Sequence, residues 1–354
     1  MTNGNVRRPK VDLYSDTQSR PTRAMREYMV DAEVGDEQRG EDPTTTALQN
    51  RVAELLGKEA AVFLPSGTMC NEIAYRVHCG TGDEIILDKT GHALHFEAGG
   101  PAALSGVMTR ALDGERGIFT PEQVAAAIRP INRHLPLSKL LSVENTANLG
   151  GGAVWPLQQI RAVCEVAHAN GLATHMDGAR LPNAVIASAT SAKAFAEPFD
   201  SAWIDLSKGL GAPVGGVLTG SAEFIERAWR FKHQFGGAMR QSGIIAAAGL
   251  YALEHQFERL REDHDNAKRL ANALVDIPGI VIDVATIETN MVYFDVEQTG
   301  LSAAKVSELL GERGVRIGAL GPMTMRAVTY LDVDAADVDF AARSLREVLS
   351  NACP

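Results

Sequence analysis

From about residue 45 onward, short apolar runs alternate with stretches of helical periodicity, and this alternation commits the chain to an α/β architecture. Residues 60–64, 84–87, 140–144, 172–176, 202–206 and 216–219 read as strands, each closing on a turn rich in Gly, Pro, Ser, Asp or Asn. Their compact apolar composition predicts strands buried on both faces of a mostly parallel sheet. Helices are expected between them at 45–56, 67–77, 121–128, 156–170 and 222–232, two of them opening on Pro, which a first helical turn tolerates. A long helical tract follows Gly243, with mixed charge over 254–269 that reads as a solvated or interface face. Strands at 280–284, 291–295, 315–317 and 325–330, with helices at 303–313 and 336–349, predict a smaller α+β domain. The boundary is placed within a helix near residues 250–265, giving an N-terminal arm and large domain over 1–255 and a small domain over 256–354.

Charge and cysteine content narrow the partners. The 34 basic and 44 acidic residues leave a net charge of −10, which argues against nucleic acid or an anionic membrane as the main partner and favours a small molecule. No apolar run is long enough to span a bilayer and the N-terminus lacks the apolar core of an export signal, so a cytoplasmic protein is expected. Cys70, Cys79, Cys164 and Cys353 form neither a Cys-x-x-Cys pair nor a zinc-type cluster and are expected as buried thiols; no metal is expected.

The chemistry-bearing residues lie at strand ends. Asp177, within His175-Met176-Asp177-Gly178-Ala179-Arg180, and Lys208, within Asp205-Leu206-Ser207-Lys208-Gly209, follow two different strands. Ligands of open α/β sheets bind at the carboxyl ends of strands, so an acid and a lysine there can converge on one site. Pyridoxal phosphate needs a lysine for a Schiff base, an acid for its ring nitrogen, an anion site and a residue against the ring. Ser66-Gly67-Thr68 opens a helix after a strand and suits the phosphate, and His92 follows another strand closely enough to stack or exchange protons.

In these motifs, and in Ser15-Asp16-Thr17, Gly40-Glu41-Asp42-Pro43, PSGTMCN from Pro65, FEAGG from Phe96, LLSVENT from Leu140, LSKGLGAPVG from Leu206, GGAMRQSG from Gly236 and RAVTYLDV from Arg326, the chain resembles the low-specificity L-threonine aldolases of the β-eliminating lyase group. The resemblance runs from about residue 12 to 349. It implies the aspartate-aminotransferase-like fold, fold type I of the pyridoxal 5'-phosphate enzymes, with a large, mostly parallel seven-stranded sheet domain and a small C-terminal domain. It also implies cleavage of L-3-hydroxy-α-amino acids to glycine and an aldehyde. By motif position Lys208 would carry the cofactor, Asp177 would face its ring nitrogen, and His92 would stack on the ring and serve as base, directly or through a water. Ser66, Gly67 and Thr68 would bind the phosphate, with Arg240 reaching it from a neighbouring subunit; Ser15, Arg180 and Arg326 would hold the substrate carboxylate. A homotetramer, a dimer of dimers with shared active sites, is implied as well.

The chain departs from that pattern twice. Ala147 stands where the family usually has His, ahead of the run Gly150-Gly151-Gly152, and Arg39 stands where it often has Tyr. Both changes are expected to reshape the aldehyde side of the pocket, making room for a bulkier side chain such as that of phenylserine or offering charge to an acidic one. Two other readings stay open: a different fold-type-I lyase, racemase or transaminase, and a non-catalytic or nucleotide-binding α/β protein. The last lacks both Gly-x-Gly-x-x-Gly after the first strand and a Walker-type loop.

Overall fold

The structure is a computed structural model and describes residues 8–350. The chain divides into two compact units, one of residues 20–258 and the other of residues 8–19 with 259–350. Cys353 lies outside the described residues, as do residues 1–7. The three described cysteines are free and buried.

The larger unit is built on a seven-stranded sheet, in the order Ala60–Leu64, Gly216–Gly220, Ser201–Asp205, Ala173–Gly178, Ser138–Glu144, Glu84–Asp88, Met108–Leu112. Gly216–Gly220 runs antiparallel to both neighbours and every other pairing is parallel, so six strands point the same way. Ser201–Asp205 and Gly216–Gly220 are buried along their whole length, as expected of mostly apolar strands inside the sheet. The sequence reading did not anticipate Met108–Leu112. It is an edge strand with most side chains exposed, so no apolar run marks it.

The helix Gly67–His78 is capped by the Ser66 hydroxyl, which accepts from Met69 N. It buries seven of its twelve residues, among them Asn71 and Glu72. Val62, Leu64 and Trp203 on the sheet pack with its Cys70, Ile73, Ala74 and Val77 and with Phe224, Ile225 and Ala228 of the helix Ala222–Gln234.

In the smaller unit Met291–Asp295, Thr324–Val328 and Gly318–Ala319 form an antiparallel sheet. It shares a core with the helices Leu260–Val275, Ala303–Glu312 and Ala335–Ser350. The N-terminal arm, expected with the larger domain, joins this unit: Val11–Asp12 pairs in parallel with Val315–Arg316, and Val11 and Leu13 enter the same core. The expected strand at 280–284 is absent. Asp283 caps a short 3-10 turn, Val284–Thr286, and Val281 alone bridges to Asp295. The long helical tract is two helices, Gly243–His255 and Leu260–Val275, and the unit boundary at 258–259 falls in the turn between them rather than inside a helix. Its charged stretch is not wholly solvated. Asp263 is buried, accepts from both terminal nitrogens of Arg259 at 2.7 and 2.8 Å, and is pushed up to about 6 by burial despite that partner. Among the described residues no helix is long and apolar enough to cross a membrane.

Candidate active site

The carboxyl ends of the parallel strands open on a cleft of about 320 Å³ in the larger unit, lined among others by Ser66, Gly67, Thr68, His92, Asp177, Trp203, Asp205 and Lys208. Lys208 stands on the loop that follows Ser201–Asp205. Asp205 pairs with Gly216 across the sheet, and Leu206 N donates to Gly215 O at 2.9 Å, so residues 206–215 form a loop closed at its base. Gly215 has φ +103°, and a side chain there would strike the Phe63 ring; only glycine closes this loop without strain. The lysine Nζ lies 3.4 Å from Asp205 Oδ2, and its side chain is 13% exposed. Asp205 Oδ1 in turn accepts from the Ser207 backbone N–H and hydroxyl, both at 2.7 Å.

Asp177, next to last in the strand Ala173–Gly178, is 4% exposed. Its Oδ1 accepts from Ala179 N at 3.0 Å and its Oδ2 from Asn71 Nδ2 at 2.8 Å, which fixes the carboxylate on both sides. The other Asn71 amide contacts extend the network: Nδ2 also reaches Glu97 Oε1 at 2.8 Å, while Oδ1 accepts from Trp203 Nε1 at 2.7 Å and meets His175 Nε2 at 3.2 Å. Burial drives the His175 imidazole well below its ordinary pKa, so it is neutral and acts as a hydrogen-bonded spacer.

His92 opens a short helix after Glu84–Asp88. Its backbone N–H donates to Glu144 Oε2 at 2.8 Å, and its Nδ1 lies 2.8 Å from Glu97 Oε1. Burial alone would lower the imidazolium; the hydrogen bond to Glu97 and the charges of Asp177, Glu97 and Glu144 outweigh it and raise its pKa. Glu144, half-buried at the end of its strand and close to Asp177, is pushed up to about 7, chiefly by desolvation.

The remaining candidates fall elsewhere. Ala147 is buried, and with His92, Asp177, Gly117 and Glu144 it lines a gap of about 10 Å³, no more than a single water could fill. Arg180 is buried at the N-cap position of the helix Leu181–Ser188, where its side chain makes no capping hydrogen bond. Arg39 is exposed on a 3-10 turn, and Arg240 pairs with Asp36 at 2.8 Å. Ser15 and Arg326 belong to the smaller unit, where Ser15 Oγ caps the turn Asp16–Gln18 and Arg326 Nη2 donates to Tyr14 O.

The family model of the β-eliminating lyases matches residues 12–297. The low specificity L-threonine aldolase of Escherichia coli K12 is 43% identical over 341 residues, covering 96% of this chain and 99% of that protein. The low-specificity L-threonine aldolase 1 of Arabidopsis thaliana is 40% identical, with 96% of each chain covered. The chain belongs to the β-eliminating lyase family, with the low-specificity L-threonine aldolases. The fold agrees with that of the Leishmania major threonine aldolase, with a TM-score of 0.82 at 18% identity over 96% of this chain and 99% of that one. A putative L-allo-threonine aldolase from Listeria monocytogenes gives a TM-score of 0.79 at 21% identity, covering 96% and 97%.

Enzymes of this family work with pyridoxal 5'-phosphate, and the residues lining the cleft of this member suit it. The N-terminus of Gly67–His78 offers unpaired backbone N–H groups for a phosphate. A Cβ at Gly67 would run into the Trp203 indole, so the helix start lies directly against the cleft wall. The amine of Lys208, with Asp205 beside it, and the fixed carboxylate of Asp177 complete the set. What the sequence reading missed is the layer behind these groups. Asn71, Glu97 and Glu144 lie inside the quoted motifs, and the one signal for them was a pair of polar residues, Asn71-Glu72, inside a helix otherwise apolar enough to be buried.

Proposed function

We propose that this aldolase-family chain cleaves the Cα–Cβ bond of L-3-hydroxy-α-amino acids, threonine among them, to glycine and an aldehyde, with pyridoxal 5'-phosphate as cofactor. The observation that carries the reading is the convergence of Lys208, Asp177, His92 and the Gly67–Thr68 helix start on one cleft. Lys208 Nζ would bond the cofactor, Asp177 would hold a proton at its ring nitrogen, and the backbone N–H groups at Gly67 and Thr68 would take the phosphate. Arg180 would fix the substrate carboxylate, a task suited to the forked donors of arginine, and so hold the bond to be broken in a constant orientation; for Ser15 and Arg326 the same role rests on motif position alone. The bound cofactor supplies an electron sink for the pair released from that bond. His92 Nε2 takes the β-hydroxyl proton as the carbonyl forms, a contribution of about 10²–10⁴-fold, and reprotonation at Cα yields glycine.

Ala147 and Arg39 bear on which aldehyde leaves. Ala147 contributes only a methyl group beside His92, so a larger or acidic substituent on Cβ meets less bulk there than histidine would impose. A homotetramer with Arg240 serving a neighbouring subunit's phosphate site, in the cytoplasm, completes the proposal; the exposed Arg240 side chain supports it, and a monomer in sedimentation would remove it.

The test is a panel of L-threonine, L-allo-threonine, phenylserine and 3-hydroxyaspartate, with glycine and aldehyde both measured. Equal yields of the two are expected, with preference ratios that change in Ala147→His and Arg39→Tyr. A keto acid with ammonia, a racemised substrate or an aminated acceptor would instead indicate a different lyase, a racemase or a transaminase, and unchanged ratios would remove the specificity assignment.

A further inference from the structure

Behind His92 lies a second carboxylate that the reaction above does not use. Glu72 is 2% exposed in the middle of the helix Gly67–His78, and as a carboxylate neither of its oxygens accepts from any donor among the described residues. Glu97, 4% exposed, accepts from Asn71 and faces His92 Nδ1 through Oε1, and its Oε2 is likewise without a donor. Three buried acceptor atoms with no donor among them would be very costly for two carboxylates. A single proton between the two groups resolves this, because a carboxylic acid both donates and accepts.

The surroundings agree. Burial first, then the Glu97 charge and a hydrogen bond to it, raise Glu72 to about 9. Among the described residues no basic side chain acts on Glu72 to offset them. The titratable groups nearby are Glu97 and His92 on the segment after Glu84–Asp88, Tyr75 on the same helix, and Asp177 and Glu144 at two strand ends. The turn Pro101–Ser105, packed on the helix, carries none. Gly100 brings its backbone against the Glu72 carboxyl, where a side chain would collide with Oε1.

We propose that Glu72 and Glu97 share one proton, Glu72 donating to Glu97 Oε2, and that this acid pair positions His92. Glu97 then stays ionised and accepts three hydrogen bonds, from Glu72, Asn71 and His92 Nδ1–H. That fixes the His92 tautomer with its Nε2 lone pair toward the cleft, the atom a base must present. The inference rests on the reading of His92 as the base, but its physical content is present in the apoenzyme.

Two variants test it. Glu72→Gln keeps a donor to Glu97 and loses the acid; Glu72→Leu loses both. The infrared difference between wild-type and Glu72→Gln apoenzyme at neutral pH is expected to contain a protonated-carboxyl band that moves on exchange into D2O. By NMR of the apoenzyme, the His92 titration is expected to rise by about one pH unit in Glu72→Leu, as loss of one hydrogen bond to a charged acceptor implies, and to stay in place in Glu72→Gln. The acidic limb of kcat/KM in the loaded enzyme should move with it. Absence of the infrared band, or a His92 titration unmoved in Glu72→Leu, overturns the proposal. Should Glu72→Leu fail to fold, the Glu72→Gln spectrum still decides whether the shared proton exists. A positive infrared and NMR result without glycine formation would count against the proposed reaction and leave the acid pair standing.

Discussion

Asn71 is the residue on which the site's geometry turns, because one amide serves Asp177, Glu97, Trp203 and His175. Replacing it by leucine would leave two buried carboxylates each short of a donor and the Trp203 N–H short of an acceptor. Since each such loss costs about 1–3 kcal/mol, Asn71→Leu apoenzyme should unfold at least about 3 kcal/mol more easily in denaturant titration. A loss under about 1 kcal/mol would mean that water replaces the amide without penalty. At this scale Lys208 and Asp177 were legible in the sequence because each follows a buried strand. Asn71, Glu97 and Glu144 were not, because their roles depend on which strand ends and which helix face meet, and that is fixed by the strand order.

Asp42 shows how a single side chain ties elements together. It caps the helix Pro43–Leu56 by accepting from Thr45 N at 2.8 Å through Oδ1, and through Oδ2 it accepts from Gly35 N at 3.2 Å and from Gly243 N, the start of another helix, at 2.9 Å. A side chain on Gly243 would displace this carboxylate, so acid and glycine require each other. Cap deletions cost about 1 kcal/mol, and each further orphaned N–H adds to that. Asp42→Ala is therefore expected to lose about 3 kcal/mol in chemical denaturation, and a loss within about 0.5 kcal/mol would contradict the assignment. Elements with a strong local signature were readable in advance: six strands by their compact apolar runs, the helix Pro121–Ala127 by the proline at its first turn. Elements defined by pairing alone were not. Met108–Leu112 is held to Glu84–Asp88 at the sheet edge, and Val11–Asp12 finds its partner about three hundred residues away in sequence.

For the whole molecule, a sheet with six strands pointing one way gathers their carboxyl ends along one edge, and the cleft is where they meet. The alternation of apolar runs predicted that architecture, and the motifs singled out Lys208, Asp177 and His92, which the fold brings to one cleft; the nearness of Glu97 to His92 needed the folded chain. In that cleft Lys208, and no other lysine, is proposed to bond the cofactor. Borohydride reduction of the loaded enzyme followed by peptide mass mapping tests it directly. A pyridoxyl group on the peptide containing Lys208, absent in Lys208→Ala along with glycine formation, is the predicted result; the label on another lysine such as Lys58 or Lys232, or full activity in Lys208→Ala, would contradict it.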